Sequence, residues 1–90
     1  MKISKIRTQP RFDKSFKKLD HESQTIIKKA IALMYQDLKH PSLRFKKMSG
    51  TEYIFEISAN MDLRITFHFE KPETAVLRNC GHHDKTLKNP

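Results

Sequence analysis

Ninety residues with 18 Lys/Arg against 10 Asp/Glu, a net charge of +8, make one domain (1–90), without the interior for a second core or a deep cofactor pocket. One cysteine excludes an internal disulfide, and without a C-x-x-C pair a structural zinc site is not expected. No stretch approaches the roughly 20 apolar residues that span a bilayer, and the N-terminus lacks the apolar run of a signal peptide, so a cytoplasmic protein with no membrane association is expected. The charge is unevenly placed. Residues 1–50 hold 13 Lys/Arg against 4 Asp/Glu, whereas residues 51–90 hold 5 against 6. A field of this kind favours polyanions, and it is equally compatible with an acidic protein partner or a merely solubilising surface.

Residues 2–7 alternate weakly and predict a short strand. Pro10 suits a helix first turn, and Phe12, Phe16 and Leu19 recur along one stripe of a basic helix. Asp20 is a helix N-cap with Glu22 in the following turn. From Ile26 to Leu38 the apolar residues keep a helical period, which runs to Lys39 before His40-Pro41 ends it. The first half therefore reads as a strand followed by a helical hairpin.

After Pro41 the period becomes two. Leu43 and Phe45 alternate with Arg44 and Lys46, predicting a short strand with one basic face, and Ser49-Gly50-Thr51 turns the chain. A strand over 53–58 and a hairpin at Ala59-Asn60-Met61 follow. The next strand places Leu63, Ile65, Phe67 and Phe69 on one face and Asp62, Arg64, Thr66 and His68 on the other. A final strand is expected from Thr74 to Cys80, with Cys80 a buried thiol rather than a nucleophile. The fold class is α+β: an N-terminal strand, a two-helix hairpin, then a mainly antiparallel sheet. The helices cover its Phe-rich face and leave a basic face open.

The residues with chemistry collect on that second face and at the chain's end. His83 follows the last strand, where its imidazole suits proton transfer near neutral pH. Arg64 offers a planar fork matched to phosphate oxygens. Arg44, Lys46 and Lys47 are positioned to hold a nucleic-acid backbone, and Asp62 to orient an imidazole or accept a proton. Each has a plainer reading: His83 as a solvated surface residue, Arg64 as the ion-pair partner of Asp62 or Glu56, and the lysines as a charge run. A metal at His82-His83-Asp84 is not expected, because adjacent side chains diverge on extended backbone. Spacing alone thus supports a basic α+β domain of nucleic-acid-binding character.

Taken in order, Lys46-Lys47-Met48-Ser49-Gly50, Tyr53-Ile54-Phe55-Glu56-Ile57, Asp62-Leu63-Arg64-Ile65-Thr66-Phe67 and Leu77-Arg78-Asn79-Cys80-Gly81-His82-His83-Asp84 resemble the RelE/ParE toxin superfamily over nearly the whole chain. The resemblance implies a toxin of a toxin–antitoxin system. By it, the protein is a metal-free, cofactor-free endoribonuclease that cleaves messenger RNA on the ribosome and is bound by a cognate acidic antitoxin in a hetero-oligomer. It also implies Arg64 at the scissile phosphate, His83 as the C-terminal catalytic histidine and Asp62 as an active-site aspartate. Lys46 or Lys47 falls among the RNA-binding basic residues; apart from the resemblance, Arg44 and His82 are expected as further substrate contacts. Leu87 stands where relatives carry a terminal aromatic, and Ser58 where many carry an active-site Arg or His. Two alternatives follow from these departures and from the family's breadth: a ParE-like inhibitor of DNA gyrase, or a catalytically silent member that binds an antitoxin.

Overall fold

The computed structural model describes residues 2–90. Strand β1 (Lys5–Thr8) leads into helices α1 (Pro10–Lys17) and α2 (His21–Gln36). A 3₁₀ turn (Pro41–Leu43) precedes β2 (Lys46–Lys47), β3 (Phe55–Ser58), β4 (Leu63–Glu70), β5 (Thr74–His82) and a final helix α3 (His83–Lys88). The five strands form one sheet in the order β1-β5-β4-β3-β2. Among the described residues only the β1–β5 pair is parallel, and the first and last strands lie side by side.

Local chemistry explains most boundaries. Pro10 opens α1, its missing N–H falling where a helix has no acceptor for one. The Asp20 carboxylate accepts the Ser23 N–H at 2.7 Å and caps α2 as the sequence predicts. Ser23, through its side-chain hydroxyl first and this backbone N–H second, holds the Asp20 carboxyl below its ordinary range. Helix α2 stops at Gln36, three residues before the predicted end, where Asp37 leaves the helical region (φ −155°, ψ 80°). Leu38 then turns into the core instead of continuing the helix.

Three expectations need correction. The strand predicted around Leu43 is a 3₁₀ turn with Leu43 buried, started by Pro41 and capped by His40, so the strand shrinks to Lys46–Lys47. Tyr53 lies outside β3 and is exposed. The last strand extends past Cys80 to His82, and α3 follows, an element too short to show a helical period.

The helix-packed face follows the predicted alternation. Ile57, Leu63, Ile65 and Phe67 are buried with Phe12, Ile27, Ala30 and Met34 of the helices. Phe45 stacks on Phe55 with ring centroids 5.4 Å apart, and on Phe67 at 5.9 Å. The opposite face is less open than predicted, because α3 returns across it: Thr66 and Thr86 are buried, and Arg64 is 8% exposed. Gly81 permits this approach. Its φ of +144° suits glycine, and a Cβ there would lie 3.0 Å from Thr86 Oγ1.

Candidate active site

What α3 leaves uncovered is a cleft of about 350 Å³, lined by Arg44, Lys46, Glu56, Ser58, Arg64, His83 and Leu87. The sheet register builds its floor. Lys46 pairs with Glu56 across β2–β3, Ser58 with Arg64 across β3–β4, and Arg64 with Gly81 across β4–β5. Directly paired residues project to the same face, so these side chains rise together. Helix α3 supplies the wall, with His83 and Leu87 one turn apart on one side of the helix. Its first turn is anchored where His83 N–H donates to the Asp62 carbonyl at 2.7 Å.

The register separates the two lysines. Lys46 lies over the cleft, whereas Lys47 pairs with Phe55 and belongs to the helix-packed side of the edge strand. Asp62 and His82 also stand apart from the cleft. Asp62 Oδ2 and His82 Nδ1 pair with each other, both well exposed, because His82 is the last residue of β5 while His83 has already turned into α3. The partner of His83 is instead Asp84, Nδ1 to Oδ1 at 2.9 Å, and that bond draws the Asp84 carboxyl below its ordinary range. Asp62 thus meets an imidazole, that of His82, outside the cleft. The carboxylate beside His83 in the chain becomes available only once residue 83 starts a helix.

Arg64 has two duties. Its Nη1 donates to the carbonyls of Asn60 (2.8 Å), Met61 (3.1 Å) and Leu63 (3.1 Å), which pins the β3–β4 hairpin. Its Nε lies 3.9 Å from Glu56 Oε1. Nη2 takes part in none of these contacts. Glu56 is the cleft residue that sequence reading treated only as an ion-pair partner. It is 7% exposed and stands between Lys46 and Arg64. The available signal was strand parity, which groups Glu56 with Lys46, Ser58 and Arg64. Together the cleft presents Arg44, Lys46 and Arg64 against the single carboxylate of Glu56, with one imidazole at the wall. Such a set can take up an anion next to an imidazole able to move a proton. Among the described residues no group of three or more His, Cys, Asp or Glu side chains is arranged to hold a metal ion, and no helix is long and apolar enough to cross a membrane.

No protein-family model matches the chain, and no curated protein matches its sequence. Solved structures do match. YafQ from E. coli strain BL21(DE3) superposes with a TM-score of 0.73 at 13% identity over 90% of this chain and 94% of that one. A metal-bound toxin from Helicobacter pylori gives 0.71 at 21% identity over 90% and 96%. The isolated E. coli RelE toxin gives 0.68 at 13% identity over 89% and 84%. Similar folds also occur in the E. coli DinJ–YafQ and RelBE toxin–antitoxin complexes. The chain has the fold of the RelE and YafQ toxins, the superfamily that its sequence resembles.

Proposed function

We propose that the protein is the toxin of a toxin–antitoxin pair and that its cleft cleaves messenger RNA on the ribosome without a metal. The observation that carries this reading is the convergence of Arg44, Lys46, Arg64 and His83 on one cleft of about 350 Å³, in a fold shared with such toxins.

The chemistry follows from the donor set. With Nδ1–H given to Asp84, neutral His83 keeps its lone pair on Nε2 and serves as the base for a ribose 2′-hydroxyl. The freed 2′-oxygen attacks its own 3′-phosphorus. Arg64 Nη2 and Arg44 offset the charge that develops on the non-bridging oxygens. The Lys46 ammonium protonates the departing 5′-oxygen, leaving a 2′,3′-cyclic phosphate and a 5′-hydroxyl. Buried Glu56 neutralises part of the cationic cluster and holds Lys46 and Arg64 in register. Lys47, Asp62 and His82 act outside the cleft, as contacts along the flanking RNA. Leu87 takes the position of a stacking aromatic and contributes only an apolar wall. An acidic antitoxin closes the cleft or displaces α3, which holds the toxin inactive until its release.

The three carbonyl bonds of Arg64 Nη1 favour a second reading, in which the arginine serves only the hairpin and the chain binds an antitoxin without cleaving RNA. The two separate in a translating ribosome assay on a defined message with mapped ends. Cleavage with cyclic-phosphate termini is expected. Intact message together with tight binding to the neighbouring gene's acidic product establishes the silent reading instead. Intact message with inhibited DNA gyrase establishes a ParE-like one.

A further inference from the structure

Arg44 lines three separate concavities. One is the cleft described above. A second, of about 500 Å³, is walled by Lys39, His40, Pro41, Arg44 and Phe45. A third, of about 460 Å³, extends from Arg44 towards Asn60 and Met61 at the tip of the β3–β4 hairpin. Arg44 is therefore the post around which a strand leaving the cleft must bend. It sits there in an unfavourable backbone conformation, φ 49° and ψ 43°, a left-handed region in which glycine is the relaxed choice. The turn itself does not require an arginine.

His40 gives the second concavity a polar reader. Its Nδ1 accepts the Ser42 backbone N–H at 3.2 Å and lies 2.8 Å from Ser42 Oγ. A backbone N–H can only donate, so Nδ1 carries the lone pair, and the proton of the neutral ring resides on Nε2. The turn thus fixes the tautomer and leaves one N–H donor for an incoming group. Pro41 and Phe45 supply apolar surface beside it, and Lys39 and Arg44 supply positive charge.

We propose that this second concavity is a nucleotide subsite for single-stranded RNA, taking the nucleotide next to the cleaved bond. Arg44 holds the phosphate between the two sites, the base lies against Pro41 and Phe45, and His40 Nε2–H donates to its edge. Aimed at the O6 position of guanine or the O4 position of uracil, an N–H donor meets an acceptor, whereas adenine and cytosine present an amino donor there. The proposal rests on the cleavage reading for its biology, but binding tests it separately.

The test uses the full chain and an uncleavable 2′-O-methyl RNA octamer, with cleavage-site sequencing on a mixed message pool in parallel. Arg44→Gly removes the guanidinium while relaxing the backbone, so its melting temperature is expected to hold or rise while RNA affinity falls about tenfold. The slope of log affinity against log salt should shrink by about one phosphate contact. Arg44→Lys, which keeps the charge, should recover part of that loss. His40→Asp retains an acceptor for the Ser42 N–H but carries no N–H donor, so it should hold the turn while the guanine/uracil preference at one flanking position weakens about fivefold or more. Unchanged affinity and salt slope in Arg44→Gly, or an unchanged base preference in His40→Asp, overturns the subsite. So does loss of antitoxin binding alone in Arg44→Gly. Octamer binding that responds as expected in a wild-type protein without cleavage retains the subsite and removes the nuclease.

Discussion

The two faces of the sheet are made by the same strands and obey different rules. On the helix-packed face Phe55, Phe67, Ile57 and Ile65 meet α1 and α2 in an apolar layer. One residue along each strand, the other face carries Glu56, Ser58, Arg64 and Thr66. The first face holds the fold together; the second gathers charge that contributes little to packing and, apart from Arg64, makes few bonds with the rest of the chain. Strand alternation lets an 8-residue strand such as β4 serve both ends at once. Stability and chemistry should therefore separate by residue parity.

The sharpest break in that comparison comes from His83→Ala. Loss of a positioned general base costs roughly 10²–10⁴-fold in rate, and a half-exposed side chain at a helix start should leave thermal unfolding nearly unchanged. Phe67→Ala is its mirror. Removing this fully buried ring should destabilise the chain by about 3–5 kcal/mol, a large share of the roughly 5–15 kcal/mol that holds a small domain folded. Cleavage rates of the folded fraction should stay close to wild type. Parallel kinetic and calorimetric measurements check both. A His83→Ala protein that cleaves normally would return His83 to the status of a surface residue.

The helix-packed face was legible because apolar alternation from Leu63 to Phe69 is periodic and the Asp20 cap is local; both signals lie within a few residues. The cleft was legible only in part. Arg44, Lys46, Arg64, His83 and Leu87 do meet there, but spacing could not separate Lys46 from Lys47, since that choice depends on pairing with Glu56 and Phe55 in another strand. Which imidazole Asp62 would meet was not legible, because α3 is six residues long, too short to leave a period in the sequence. The same missing helix made the second face look open, and Glu56 looked like a bystander until the cleft had walls.

Gly81→Ala tests the junction between the faces. Gly81 lies on the cleft side of β5, opposite Arg64, and a Cβ there would both meet Thr86 Oγ1 and hold an L-residue at φ +144°. Backbone strain of this kind costs about 1–3 kcal/mol. The added contact also pushes α3, which carries His83, away from the sheet. Activity should thus fall further than the stability loss explains. Adding Thr86→Ala should recover part of the activity and little of the stability, since it removes the contact but not the strain. Equal recovery of both would mean that α3 position and His83 chemistry are uncoupled.

The smallest effect is expected at Cys80, whose place on the helix-packed face opposite Ile65 marks it as a packing residue beside a glycine of the cleft. Burial, with a lesser contribution from Asp13, raises its thiol from an ordinary value near 9 to about 12. The folded chain therefore keeps this proton over a range where the unfolded chain has lost it. Below about pH 9 both states hold it, and Cys80 makes no pH-dependent contribution. Between 9 and 12 the unfolded state binds fewer protons, so stability falls as pH rises, with a limiting slope of about 1.4 kcal/mol per pH unit. Lysines and tyrosines titrate in the same range, so the measurement is a difference: denaturant unfolding of wild type minus Cys80→Ala from pH 7 to 10.5. A flat difference that turns downward above pH 9 is expected, together with slow labelling of the native thiol at neutral pH. Parallel curves across the whole range, or rapid labelling of folded protein, would place Cys80 with the accessible groups and blur the division between the two faces.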